Sequence, residues 1–426
     1  MNKVAVIGLG ASGLCALRHL TARPNVFQAV AFEQNSEVGG TWLYTPRIHK
    51  HDNGVRVHSS MYQNLKTNLP KEVMAFPDFH FSQNLPSFIT HTNVKDYLID
   101  YANNFGLYAH SKLKTQIERV EMITTNTGSI KWCVTYKDVE DSSAPSTSET
   151  YDSVVVCNGH YSIPNIPEIP GLKQFEGSFL HSHDYRVPEV FKGKTVLCLG
   201  GGASGIDIAM DLTSQAKKVF LSHRGKQITS PLPENLEETV EIKSFSENFV
   251  NLKDGRDLEV DTVIFCTGYK YDFPFLTKEC NLNITDGRVY PLFKHIVHAK
   301  HPSLNFIGVT KKVCPFPTFH CQVQFMMANL DGSMKLPSYE EMLQDIEKDY
   351  ETRRNEGMPH RHTHTMVGRK QWDYNDDITS MAETRPISKQ VRDLFDKIHY
   401  TRINNLLEYK KYNYYLKNDN YVGVQN

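Results

Sequence analysis

The sequence predicts an α/β fold made of two parallel-stranded units, one inserted into the other. Two apolar runs, at residues 4–7 and 195–199, each lead directly into a G-x-G-x-x-G turn and then a helical pattern. A second apolar run follows each helix, near residues 29–32 and at residues 219–222, and completes a βαβ unit. Glycines in such a turn let the backbone approach a pyrophosphate at the helix N-terminus. The sequence therefore predicts two Rossmann-like dinucleotide-binding domains.

The two units differ in the residue that follows their second strand. Glu33 lies 20 residues after Gly13, where a carboxylate binds ribose hydroxyls and would repel a 2′-phosphate. Arg224 lies 19 residues after Gly205, where its charge and forked donors suit a 2′-phosphate. This difference predicts two cofactors, FAD at the first site and NADPH at the second as the source of hydride.

The residues of these turns are the first set of candidate ligands. A further glycine turn at residues 39–42 is expected to bring backbone close to the flavin. For NADPH the candidates are Gly200, Gly202, Ala203, Ser204, Gly205, Ser222 and Arg224. For FAD they are Gly8, Gly10, Ala11, Ser12, Gly13, Glu33, Gln34, Gly40, Thr41 and Trp42.

The domain borders are placed where two strand patterns, at residues 151–157 and 260–265, end in Cys-Asn-Gly and Cys-Thr-Gly. We expect an NADPH domain at 160–276 inserted into an FAD domain at 1–159 and 277–426. Other expected elements are strands at 117–122 and 130–136, an exposed polar loop at 141–150, helices at 93–105 and 338–356, an irregular segment at 45–92, and a C-terminal remainder without strands.

Composition excludes several classes of function. The 426 residues carry 47 basic and 48 acidic side chains, a balance that does not favour a nucleic-acid partner. No apolar run approaches the roughly 18–20 residues of a transmembrane helix, so no membrane anchor is expected. The first strand begins almost at the N-terminus, which predicts a cytoplasmic protein, secreted only if a leader has been removed. The sequence leaves a homo-oligomer open.

The cysteines and histidines show no pattern typical of a disulfide, metal or catalytic site. The eight cysteines contain no C-x-x-C pair and are predicted to be buried free thiols, which disfavours a disulfide reductase. His360, His362 and His364 could share one face of a strand as metal ligands. Without neighbouring carboxylates or cysteines a solvated loop is favoured, and no metal is expected. His181 is interpreted as a structural residue of the junction between the domains.

Three further stretches carry a family resemblance. Residues 175–185, FEGSFLHSHDY, fit F-x-G-x-x-x-H-x-x-x-(Y/F), residues 62–74 contain an asparagine segment, and residues 267–269 read TGY. With the two glycine turns 192 residues apart, they resemble the flavin-containing monooxygenases. The family pattern P-x-x-E-x-Q-A-R is only partly kept, since His320 and Gln324 replace its Glu and Arg while Gln322 is retained. The chain is similar in length to insect or microbial members.

The resemblance implies a reaction in which NADPH reduces FAD and the reduced flavin takes up O₂ as a C4a-hydroperoxide. The substrate would be a small soft nucleophile, a tertiary amine or a sulfide, with N-oxygenation favoured and pyrrolizidine alkaloids as one specific expectation. Asn68 is the expected catalytic residue, because its neutral amide both donates and accepts hydrogen bonds. The alternative is an asparagine that forms a turn ahead of Pro70. The resemblance also assigns Thr67, Asn68, Val120 and Gln322 to FAD.

Two other functions remain open at this stage. A Baeyer–Villiger monooxygenase is similar, but its pattern has Trp in place of Tyr185. A non-enzymatic nucleotide-sensing protein would share the fold. A purified protein that is yellow and oxidises NADPH with O₂ would separate the enzyme from the sensor.

Overall fold

The structure is a computed structural model that describes residues 1–141, 143–417 and 420–425. Residues 142, 418, 419 and 426, which fall in the predicted polar loop and the predicted first domain, lie outside the described residues. The helices are α1 (Ala11–Thr21), α2 (Lys71–Met74), α3 (His91–Asn104), α4 (Ala203–Leu212), α5 (Pro315–Asp331), α6 (Tyr339–Asn355), α7 (Lys370–Met381) and α8 (Lys389–Asn404).

The strands of the N-terminal part are β1 (Asn2–Ile7), β2 (Phe27–Phe32), β3 (Ser111–Lys112), β4 (Thr115–Thr124), β5 (Ile130–Asp138), β6 (Thr147–Tyr151), β7 (Ser153–Val156) and β8 (Ile163–Pro164). The middle part has β9 (Ser178–His181), β10 (Thr195–Leu199), β11 (Lys218–Ser222), β12 (Leu236–Thr239), β13 (Ile242–Phe245), β14 (Phe249–Leu252), β15 (Asp257–Glu259), β16 (Thr262–Phe265) and β17 (Tyr269–Lys270). The remainder has β18 (Asn283–Thr285), β19 (Arg288–Tyr290), β20 (Leu292–Phe293), β21 (Val297–His298), β22 (Leu304–Phe306), β23 (Tyr412–Lys417) and β24 (Asn420–Gln425).

Two sheets hold the predicted nucleotide units. The first has seven strands in the order β20-β21-β22-β7-β1-β2-β3, and its strands from β22 to β3 are parallel. The second has five parallel strands in the order β12-β11-β10-β16-β9. The protein is therefore a mixed α/β fold with parallel sheets of the Rossmann type, as the sequence predicts.

The chain crosses between the two sheets at two glycine-containing strand ends. β7 and β16 end just before residues 157–159 and 266–268, and β8 pairs with β17 beside these crossings. All strands of the second sheet lie between residues 178 and 265, inside the expected NADPH domain. The borders at 159/160 and 276/277 remain a prediction.

Burial on both faces explains why β1 is an uninterrupted apolar run. Val4 and Val6 belong to a core formed with α1, α3 and α5, whereas Ala5 and Ile7 pack in a second core with the β4-β5-β6 sheet. Alternate residues of a strand point to opposite faces, so a central strand of a three-layer fold has no polar side.

Some boundaries differ from those expected. The helix expected at 93–105 begins at His91 because Thr90 is its cap: the Thr90 hydroxyl accepts from the Asn93 backbone N–H at 3.3 Å, and the Asn93 side chain accepts from the Thr90 backbone N–H. The strand expected at 151–157 is β7, and the end of the loop expected at 141–150 is wrong because β6 begins at Thr147. The expectation of a C-terminal remainder without strands is wrong, since β23 and β24 form an antiparallel hairpin.

The side chains that the sequence left uncertain are now placed. All eight cysteines are free and seven are buried, which confirms that prediction. The prediction of a solvated loop is wrong for His364, which is buried: its Nε2 accepts from the Val289 N–H, and its Nδ1 lies 2.9 Å from Nδ1 of His295. Within the described ranges, no helix has the length and apolar character needed to cross a membrane.

Candidate functional site

The first G-x-G-x-x-G turn forms a tight cradle in which two glycines are required by geometry. Gly8 has a φ of +96°, and a Cβ there would lie 2.7 Å from the carbonyl oxygen of Cys157. A Cβ at Gly13 would lie 1.8 Å from the carbonyl oxygen of Gly8. A side chain at Gly13 would push α1 away from the end of β1, and one at Gly8 would collide with the backbone that follows β7.

The glycine turn at 39–42 covers this first cradle. A Cβ at Gly40 would lie 2.8 Å from Cα of Gly10, and the Gly39 N–H donates to the Leu9 carbonyl at 2.9 Å. Gly10 is the N-cap of α1, and no side chain among the described residues caps that helix. The first cradle is therefore covered: Ala11, Ser12 and Gly13 are buried, and Thr41 and Trp42 are half-buried in the covering turn. A helix N-terminus of this kind suits an anion.

Glu33 is fixed at the edge of the first cradle. Its carboxylate is buried, and it accepts from the Leu9 N–H at 2.8 Å and from the Asn35 N–H and Nδ2 at 2.9 and 2.8 Å. Burial raises the pKa of this carboxyl, while those hydrogen bonds oppose the shift. Oε1 accepts both bonds from Asn35, so Oε2 keeps the lone pair that a ribose hydroxyl could use, beside the half-buried Gln34.

The second cradle has the same construction but is open. Gly200 has a φ of +125°, with a would-be Cβ 2.5 Å from the Cys266 carbonyl oxygen, and a Cβ at Gly205 would lie 1.7 Å from the Gly200 carbonyl oxygen. A Cβ at Gly202 would meet nothing within 4 Å, and the next residues, Ala203 and Ser204, are exposed. A covered cradle suits a resident nucleotide, and an open cradle suits one that enters and leaves.

Arg224 and Ser222, at the end of β11, differ in exposure. The Arg224 side chain is 76% exposed and pairs through Nε with Glu241. Ser222, by contrast, is 0% exposed and its hydroxyl donates to the Val240 carbonyl at 2.7 Å. The assignment of Ser222 to NADPH remains a prediction, although its hydroxyl faces the protein interior and already donates there. Sequence reasoning missed His223, whose ring lies against Gly201 of the turn.

Asn68 is half-buried beside a tyrosine from the C-terminal part of the chain. The Tyr409 hydroxyl donates to Oδ1 of Asn68 at 3.1 Å, and no group within the described part of the chain accepts from its Nδ2. Thr67 is buried and tied to Ile89, with its N–H donating at 2.9 Å and its Oγ1 accepting at 3.2 Å. These contacts hold the asparagine's oxygen and leave its amide donor available.

The segment that carries Asn68 lies against α4 of the second unit. Asp211 of α4 accepts from Asn64 Nδ2 at 3.0 Å and from the Tyr185 hydroxyl at 2.6 Å. Asp207, also on α4, is 3.5 Å from Nζ of Lys410. The segment that carries Asn68 thus lies at the junction of the two nucleotide units.

Tyr409 and Lys410 were missed by sequence reasoning. Their contacts join positions far apart in the chain, and the only signal in the sequence was a tyrosine-rich C-terminal stretch. Burial, reinforced by the charge of Asp207, raises the pKa of the Tyr409 hydroxyl. That hydroxyl therefore stays protonated and remains a donor.

Val120 and Gln322 are placed in the framework around the site. The Val120 N–H donates to the Phe275 carbonyl at 2.7 Å, and the Val120 carbonyl accepts from the Thr277 N–H at 3.1 Å. Gln322 is 0% exposed, its Oε1 accepts from the Gly308 N–H at 2.9 Å, and its Nε2 donates to Tyr374 and Thr310. These contacts use the backbone of Val120 and the side-chain donors of Gln322. The FAD contacts that the resemblance implies for both residues remain predictions.

The 175–185 stretch connects the domains. Nε2 of His181 donates to the Gly268 carbonyl at 2.9 Å, and its Nδ1 accepts from the His183 N–H at 3.0 Å. Because Gly268 belongs to the second crossing, His181 joins the end of β9 to that crossing. This geometry agrees with the structural role expected for it.

A family model described as flavin-binding monooxygenase-like matches residues 1–235 and 234–397. The chain is 37% identical over 415 residues to Flavin-containing monooxygenase FMO GS-OX-like 2 of Arabidopsis thaliana, covering 92% of this chain and 87% of that protein. These matches extend well beyond the motifs, over both nucleotide units.

Solved structures of similar proteins support the same family. The S-allyl-L-cysteine S-oxygenase from Allium sativum superposes with a TM-score of 0.88 at 35% identity, over 96% of this chain and 94% of that one. Tmm from Pelagibacter sp. strain HTCC7211 gives 0.85 at 28% identity, over 99% and 96%. These relatives are plant and bacterial, not the insect members that the chain's length suggested. The chain belongs to the flavin-containing monooxygenase family, whose members use FAD and NADPH.

Proposed function

We propose that this enzyme oxygenates thioethers first and tertiary amines second, with NADPH and O₂ as co-substrates. The observation that carries the cofactor assignment is the pair of matched cradles. The covered one ends in the buried Glu33, and the open one ends in the exposed Arg224. This pairing supports FAD as the resident cofactor and NADPH as the exchangeable one.

The residues of the two cradles would bind and orient the cofactors. FAD, when bound, supplies the redox and oxygen-transfer chemistry. The N-terminus of α1 would hold its pyrophosphate, Glu33 its adenosine ribose, and the 39–42 turn would cover both. Arg224 would leave Glu241 to bind the 2′-phosphate of NADPH, which its exposed position allows.

Asn68 would supply a hydrogen bond at the junction of the two units. Tyr409 holds its Oδ1, which directs Nδ2 away from the tyrosine. An amide is neutral over the whole pH range of the enzyme, so it donates without transferring a proton to a basic substrate.

The preference for sulfur is supported by relatives. The S-allyl-L-cysteine S-oxygenase is similar over nearly the whole of both chains. N-oxygenation of tertiary amines, including pyrrolizidine alkaloids, takes second place because the relatives reported above are plant and bacterial proteins.

A product assay tests this function. The FAD-loaded protein is mixed with NADPH and ¹⁸O₂ and offered a thioether, a tertiary amine and a cyclic ketone in turn. Labelled sulfoxide as the main product supports the proposal, and labelled N-oxide as the main product would reverse the order of substrates. Esters or lactones from the ketone would indicate a Baeyer–Villiger enzyme. A colourless protein that cannot be reconstituted with FAD would favour the nucleotide-sensing alternative.

A further inference from the structure

A cluster of metal-ligating side chains lies behind the first cradle, between α1 and α5. Cys15 and His19 are one turn apart on α1, and His320 faces them from α5. Their Sγ and imidazole nitrogen atoms all lie within 4.8 Å of one another. Residues four apart on a helix share one face, so the two ligands of α1 point the same way.

A carboxylate from a different part of the chain lies beside these three residues and would have to move inward to become a fourth ligand. Oδ2 of Asp78 lies 3.9 Å from Nε2 of His19. Cys15 is 0% exposed, whereas the side chains of His19 and Asp78 are 13% and 24% exposed. The cluster is thus largely desolvated but can still be reached by an ion.

The spacing suits a tetrahedral zinc ion. Bonds of about 2.0–2.1 Å and a tetrahedral angle separate two zinc-bound nitrogens by about 3.3 Å. In the structure, Nε2 of His19 and Nδ1 of His320 are 3.2 Å apart. The sulfur of Cys15 must close by about 1 Å to reach its bonding position. Thiolate and imidazole ligands favour Zn²⁺ over Mg²⁺ or Ca²⁺.

A supporting residue orients one ligand. Nε2 of Gln324 lies 3.2 Å from Nδ1 of His19. The oxygen and nitrogen of an amide are interchangeable by rotation of its plane, so Oε1 can accept from Nδ1–H. That tautomer leaves Nε2 of His19 free to bind a metal, which is the arrangement that ligating histidines use.

Both His320 and Gln324 occupy positions at which this chain departs from the family pattern of Glu and Arg. The departure therefore brings together a ligand and its supporting residue. Oδ2 of Asp78, the oxygen near His19, also lies 3.4 Å from Nε of Arg18. The carboxylate would keep this salt bridge only by turning its other oxygen, Oδ1, toward the metal.

We propose that Cys15, His19, His320 and Asp78 bind one Zn²⁺ that joins α1 to α5. Four protein ligands leave no open position, so the site is structural, and binding releases the thiol proton of Cys15. The ion would stabilise the N-terminal helix that carries the first cradle. This site is independent of the proposed substrate class.

Metal analysis of the FAD-loaded full chain tests the proposal. The variants are His320→Gln and His19→Gln, with His80→Gln, an exposed histidine outside the cluster, as the matched control. Each protein is stripped with chelator and titrated with zinc alone, and FAD content is measured to confirm that each variant is folded. A cobalt(II) titration reports the coordination number through visible bands at wavelengths beyond the flavin absorption.

We expect one zinc per chain in the wild type and in His80→Gln, with tetrahedral cobalt bands. Loss of a supporting residue typically lowers metal affinity about 10–100-fold, so losing a ligand should lower it by at least about 100-fold. Gln324→Ala, which removes a supporting residue, should lower zinc affinity by about 10–100-fold. Equal zinc affinity in all these proteins, or octahedral cobalt bands, would overturn the proposal and leave a hydrogen-bonded histidine pair.

Discussion

Replacing Tyr409 with phenylalanine tests how the fold orients Asn68. The substitution removes only the hydroxyl that donates to Asn68 Oδ1 at 3.1 Å. The ring is buried and packs edge-on against Phe88 at 5.3 Å, so its packing is retained. A neutral hydrogen bond contributes about 0.5–1.5 kcal/mol net, which corresponds to about 2- to 13-fold in kcat/KM if the bond is needed for catalysis.

The assay measures product formed per NADPH consumed, with hydrogen peroxide as the uncoupled product. Tyr409→Phe should lower kcat/KM for oxygenation by that factor and raise the peroxide fraction. Tyr414→Phe is the matched control, since Tyr414 is also buried and packs on Phe88 but does not bond Asn68. FAD content should be unchanged in both variants.

A double-mutant cycle decides whether Tyr409 acts through Asn68. Asn68→Ala should lower oxygenation far more than Tyr409→Phe, and adding Tyr409→Phe to it should cause no further loss. Fully additive effects, or equal behaviour of the Tyr409 and Tyr414 variants, would refute the reasoning. Asn68→Ala with wild-type amine and thioether oxygenation would remove the catalytic role altogether.

Three further predictions concern the second cradle. In steady-state kinetics, Arg224→Ala should raise KM for NADPH about tenfold and change KM for NADH by less than about twofold. The tenfold figure is the contribution of one charge-assisted hydrogen bond, reduced because the arginine is exposed. Gly205→Ala should bind FAD but lose reduction of the flavin by NADPH, because its Cβ would lie 1.7 Å from a carbonyl oxygen. In Gly202→Ala the new Cβ meets nothing within 4 Å, so NADPH should reduce the flavin at nearly the wild-type rate in stopped-flow absorbance. Ser222→Ala should lower the free energy of unfolding by about 1 kcal/mol in urea titrations and leave both KM values unchanged. A larger KM effect from Ser222 than from Arg224 would reverse the assignment of the 2′-phosphate site.

The fold could be predicted because its strongest signals are local. An apolar run, a glycine turn and a helix in register specify a parallel βαβ unit wherever they occur. The sequence also shows the difference between Glu33 and Arg224, and the assignment of one nucleotide to each remains a prediction. Helix boundaries were less accurate: Thr90 caps α3 through a side chain that the hydrophobic pattern does not report.

The composition of the site could be predicted only in part. The resemblance points to Asn68 but not to Tyr409, because their contact spans 341 residues, and the catalytic role of Asn68 remains a prediction. Motif matching also cannot tell a ligand from its support. Gln322 and Ser222 have the residue types expected of nucleotide contacts, yet their polar atoms are used inside the protein. Only the fold shows which way such side chains point.

Oxygen transfer is the central claim, and one measurement tests it most directly. The FAD-loaded enzyme is supplied with NADPH, ¹⁸O₂ and a thioether, and the label in the product is counted against the NADPH consumed. We predict a sulfoxide that carries one ¹⁸O atom for each NADPH oxidised. NADPH oxidation that yields only hydrogen peroxide, with every thioether and tertiary amine recovered unchanged, would contradict the proposed function.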